Sequence, residues 1–93
     1  MKLTTAQFTE LAQNHKTAAD HLKLADHFTE HAIEHEADAK IHEELAVPYE
    51  KTHPQLAGEA RHYAAHSREA AEAMRNLANI HRELAKHHQH AAA

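Results

Sequence analysis

The chain has no cysteine, no tryptophan, a single glycine and two prolines in 93 residues. Without cysteine there is no disulfide framework, no thiolate metal site and no iron–sulfur cluster. Aromatic content is limited to two Phe and two Tyr, and much of the 42% apolar fraction is alanine. A lone pair of helices with this composition would bury a small core, and small cores are marginal. No run of about 18 apolar residues is present, so no helix is expected to span a membrane. Ten Lys and Arg face fourteen Asp and Glu, for a net charge of −4, which leaves no basic footprint for nucleic acid. The opening MKLTTAQF lacks the apolar core of a signal peptide, and a mature form whose leader had been removed would read the same way.

Few breakers means long helices. Thr4 and Gln7 form a T-x-x-Q capping box, with Leu3 and Phe8 at the positions of a hydrophobic staple. No Gly or Pro follows until Pro48, and the residue before a proline avoids the α region. The pattern predicts helix 1 over about 4–47, roughly 65 Å long. A loop over about 48–52 follows, then a second capping box at Thr52-His53-Pro54-Gln55 and helix 2 over about 53–88. Two long helices joined by a short loop run antiparallel, so the fold class is all-α, a single helical-hairpin domain over 1–93.

The register follows from alanine. Ala18, Ala25, Ala32, Ala39 and Ala46 recur every seven residues in helix 1, and Ala57, Ala64, Ala71, Ala78 and Ala85 do so in helix 2. Facing the rows across an antiparallel seam pairs Ala46 with Ala57 and continues to Ala18 with Ala85. Small residues at each contact allow close helix approach. A second seven-residue series, His21, Phe28, His35, His42 and Tyr49, then lies opposite Ala60, Ser67, Met74 and His81, which places His21 near His81, Phe28 near Met74 and His15 near His88. The row Leu56, Tyr63, Ala70, Leu77 and Leu84, with Leu24 and Leu45, stays uncovered. A second copy would cover it, giving a homodimeric four-helix bundle. Arg61, Arg68, Arg75 and Arg82 read as a solvated face.

Histidine is the outlier, at thirteen residues spread from His15 to His90. Imidazole can ligate a metal, accept a proton or sit as a hydrogen-bonded core group. His27, His31 and His35 follow i, i+4, i+8, and His62 and His66 form a second i, i+4 pair. Spacings of three and four share one helix face. Together with His21, His81, His42, His15 and His88, these are the candidate metal ligands. Nitrogen-only ligation favours Cu(II), with Ni(II) or Zn(II) as alternatives. Each buried imidazole needs a partner for its N–H, so an apolar seam has little use for so many of them unless they bind something.

Other chemistries fit less well. A di-iron carboxylate site needs two helical Glu-x-x-His motifs, and only Glu59-x-x-His62 lies clear of the expected loop. No Ser/His/Asp arrangement is legible, so no enzymatic activity is expected. Bis-histidine haem ligation at His21 and His81 is a weaker alternative. The rival from another class is a metal-free interaction bundle with packed or pH-responsive histidines.

The size, the missing cysteine and the heptad-spaced histidines resemble the small His-rich metal-binding helical proteins of bacterial periplasms. That resemblance implies binding of copper or another divalent ion in the cell envelope, and a periplasmic location.

Overall fold

The structure is a computed structural model that describes the backbone of residues 3–92 and the side chains of residues 3–87. Among the described residues it is all-α, with three helices: α1 (Thr5–Asn14), α2 (Ala18–Thr52) and α3 (Pro54–Ala92). No strand occurs among the described residues. The chain divides into two compact units, Met1–His31 with Met74–Ala93, and Ala32–Ala73. In each, a stretch of α2 packs against a stretch of α3.

The N-terminal capping box forms as the sequence predicts. Gln7 N–H donates to Thr4 Oγ1 at 3.1 Å, and Thr4 N–H donates to Gln7 Oε1 at 2.9 Å. The expected helix over 4–47, however, is broken at His15-Lys16-Thr17. His15 leaves the helix with φ −71° and ψ 127°. The cause is a second capping box. Asp20 N–H donates to Thr17 Oγ1 at 3.1 Å, while Asp20 Oδ2 accepts from Lys16 N–H at 3.0 Å and Thr17 N–H at 3.3 Å. These bonds satisfy donors that a helix start leaves without intrahelical partners. The bond from Lys16 N–H, followed by others, holds the Asp20 carboxyl below its ordinary pKa.

The second correction is at the other end of α2. Pro48 does not end the helix, which runs on to Thr52, so the expected 48–52 loop is helical. Proline removes one N–H and crowds the preceding turn, but the turns around it are held against α3. Ala46 and Ala57 are buried, and Glu50 forms an ion pair with Arg61. The connection shrinks to His53, whose carbonyl accepts from Ala57 N–H at 3.1 Å as α3 begins at Pro54. Thr52 sits inside α2 with its hydroxyl toward Pro48 O, not in the expected cap of α3.

The alanine seam is present in both units. In the first, Ala25, Ala78 and Ala85 are buried; in the second, Ala32, Ala39, Ala46, Ala57, Ala64 and Ala71 are. Leu24 is the one large side chain that is fully buried among the described residues. It was expected to be uncovered, and the break at His15 explains the difference. The freed α1 folds back so that Phe8 stacks on His27 and meets Phe28 edge-on, one turn from Leu24 on the same face. Leu45, Leu56, Tyr63, Leu77 and Leu84 remain substantially exposed, as the heptad pattern predicts.

Arg61, Arg68 and Arg75 are exposed, as a solvated face predicts, and three members of the series also reach across to α2. Arg61 pairs with Glu50, and Arg68 Nε donates to Glu43 Oε2 at 3.2 Å. In the first unit, Arg82 Nη2 donates to Thr29 Oγ1 at 2.8 Å. Thr29, Glu43 and Glu50 belong to one seven-residue series of α2, with Glu36 between them. These half-exposed contacts join α2 to α3 beside the alanine rows.

Candidate metal centre

The break between α1 and α2 is what builds the most enclosed histidine cluster. His15 caps the C-terminus of α1, its Nδ1–H shared between Leu11 O at 3.2 Å and Ala12 O at 3.0 Å. A carbonyl only accepts, so Nδ1 carries the proton and Nε2 is left as the lone-pair nitrogen of the neutral ring. The His15 ring stands edge-on to His21, centroids 4.7 Å apart, and to His81 at 5.8 Å. His21 comes from the first turn of α2 and is 2% exposed, and half-buried His81 comes from the last third of α3. Their Nδ1 atoms are 3.0 Å apart. Phe28 stacks on the other side of His81, with centroids 5.7 Å apart. Three helices thus bring three imidazoles together beneath an aromatic ring, all within one compact unit.

Two nitrogens 3.0 Å apart share a proton if the rings are neutral, one donating and one accepting. They also match the bite of a metal ion. Ligand distances of about 2.0–2.1 Å at angles between right and tetrahedral put two nitrogens about 2.9–3.4 Å apart. Burial pushes the His81 pKa below its ordinary value, and the neighbouring His15 pushes it the same way. A neutral ring is the form that ligates.

The other expected ligands divide differently. His27 is buried, stacked on Phe8 and edge-on to His31, with centroids 4.4 Å apart. His35 is half-buried. His42 Nδ1–H donates to Asp38 O at 2.9 Å, and its ring lies against Tyr63 with centroids 4.1 Å apart. His62 and His66 are exposed, with Nε2 atoms 3.0 Å apart. The His88 side chain, and with it the expected approach to His15, lies outside the described residues. Among the described residues no three His, Asp or Glu side chains are arranged to hold a metal ion, so the donors present themselves as pairs. The heptad rows place His21 against His81, but a continuous helix over 4–47 sets His15 toward His88 instead. Thr17-x-x-Asp20, a capping-box pattern, was the available signal.

No helix among the described residues is long and apolar enough to cross a membrane. No family model, no curated protein and no solved structure matches this chain.

Proposed function

We propose that this chain binds a divalent transition-metal ion through His21 and His81, with His15 beside them. The observation that supports this is the 3.0 Å separation of two imidazole nitrogens supplied by different helices at an enclosed position. An ion there takes the place of the shared proton, which moves to the Nε2 of its own ring. Two protein nitrogens leave other positions to water or to a further donor, an arrangement suited to buffering or carrying an ion. Imidazole ligands suit Cu(II), Ni(II) and Zn(II), of which Cu(II) binds such a site most tightly. An oxidising compartment such as a periplasm is compatible with the missing cysteine. The half-exposed row Leu56, Tyr63, Leu77 and Leu84 supports a second copy as its cover, giving a four-helix bundle. Size-exclusion chromatography with light scattering tests this: Leu77→Glu/Leu84→Glu turns a dimer into a monomer, and a monomeric wild type rejects it.

The metal-free reading also has an observation in its favour. His21 and His81 already satisfy one another, and Phe28 packs on His81 as in an ordinary core layer. Thermal melts of chelator-treated protein with and without Zn(II) or Ni(II) separate the two readings. An ion at a hundredfold excess over its dissociation constant stabilises the folded state by about 2.7 kcal/mol. For a chain of this size that is about 10–20 °C in midpoint. His21→Leu/His81→Leu should lose most of the shift. An unshifted wild type, or an equal shift in the double variant, favours packed histidines.

A further inference from the structure

His62 and His66 are used by no part of the cluster above, and their geometry repeats its central feature in a different setting. They stand one turn apart on α3, both exposed, with Nε2 atoms 3.0 Å apart and rings edge-on at 4.4 Å. This is again the nitrogen spacing that one ion spans. Here both donors come from a single helix, so the bite depends on helix formation alone.

The surroundings suit an ion. Glu69 Oε2 lies 3.5 Å from His66 Nδ1, on the side of the ring away from the pair. A carboxylate there favours the tautomer with Nδ1–H, leaves Nε2 free to ligate and raises its basicity. The pair opens onto a groove lined by Gln55, Gly58, Glu59, His62, Tyr63 and His66. Glu59 sits one turn before His62 and lines the same groove. Tyr63 does not compete, because its hydroxyl donates to Asp38 Oδ2 at 2.7 Å and is held as the phenol. A Cβ at Gly58 would meet nothing within 4 Å, so packing does not require glycine there.

We infer that His62 and His66 form a second, solvent-open site for a divalent transition ion of the Cu(II), Ni(II), Zn(II) class. It shares the chemistry of the His21/His81 pair but not its residues or its enclosure. Ions exchange freely there, whereas the enclosed pair retains them.

The test is titration of the full chain with Ni(II) against a chromophoric competitor chelator, in the His21→Leu/His81→Leu background. One ion per chain should still bind, and either His62→Ala or His66→Ala alone should weaken it at least tenfold, since a chelate needs both rings. A smaller loss means independent surface imidazoles and overturns the site, as does an absence of binding in that background. Both His62 and His66 are exposed, and unchanged far-ultraviolet circular dichroism verifies that each variant is folded. Neither overturning result touches the enclosed pair, whose own signature is the part of the thermal shift that persists in His62→Ala/His66→Ala and is lost on the further change His21→Leu/His81→Leu.

Discussion

Replacing Ala32 or Ala71 by leucine tests the seam on which everything else is hung. Ala32 is 0% exposed and Ala71 2%, so a larger side chain at either has no route to solvent without moving a helix. Leucine and alanine are both strong helix formers, so intrinsic propensity contributes little to the difference. What remains is overpacking, which costs about 1–3 kcal/mol. For a chain of this size that lowers the thermal midpoint by about 4–24 °C. The same change at Ala19 or Ala65, both exposed, provides the control on α2 and on α3. Circular dichroism at 222 nm, followed by heat and by urea, reads the effect, with the urea slope expected to stay constant while the midpoint moves. Seam variants that melt with the controls would mean that the alanine rows do not face each other, and the placement of His21 against His81 would lose its basis.

Acid should weaken the fold: the folded-state pKa of His81 is depressed below the unfolded value of 6.5, so the unfolded chain binds more protons. Its contribution is complete above pH 6.5 and is lost as pH falls below it, so midpoints measured down that range should drop less in His21→Leu/His81→Leu than in wild type. Thr17→Ala removes the cap of α2 and should cost about 1 kcal/mol in denaturant stability. It should also broaden the His15 imidazole resonances in NMR spectra, and unchanged His15 signals would separate the cap from the cluster. Arg68→Glu should lower the midpoint, and adding Glu43→Arg should restore part of it in low salt, an effect that high salt removes. No restoration would mean that the Arg68–Glu43 contact does not couple the helices.

Seven-residue periodicity made the helical pairing legible, because alanine recurs without exception along both rows. Once the rows are faced, His21 and His81 must meet, and they do. The interruptions were harder to see, for a physical reason at each end. At His15-Lys16-Thr17 no glycine or proline announces a break, and the signal is carried by side-chain bonds from Thr17 and Asp20 to backbone N–H groups. At Pro48 the local rule says stop, but burial of Ala46 and the Glu50–Arg61 pair carry the helix through. Local propensity loses to tertiary contact there. The arginines are exposed as a charged outer face predicts, and the pairs that three of them make with α2 add to that reading. That Thr29, Glu43 and Glu50 share a spacing of seven was visible, and joining the two series would have predicted these pairs. Pairing of His15 with the cluster depended on the break and could not be read without it.

X-ray absorption at the zinc edge shows whether His21 and His81 ligate one ion. One equivalent of Zn(II) is added to the His62→Ala/His66→Ala variant, which removes the open pair and leaves the enclosed one. We expect nitrogen neighbours at about 2.0–2.1 Å with the outer-shell scattering of two or three imidazole rings. The further change His21→Leu/His81→Leu should remove that imidazole pattern. A shell of oxygen alone in the first variant, or the same imidazole pattern in both, would contradict metal binding at this pair.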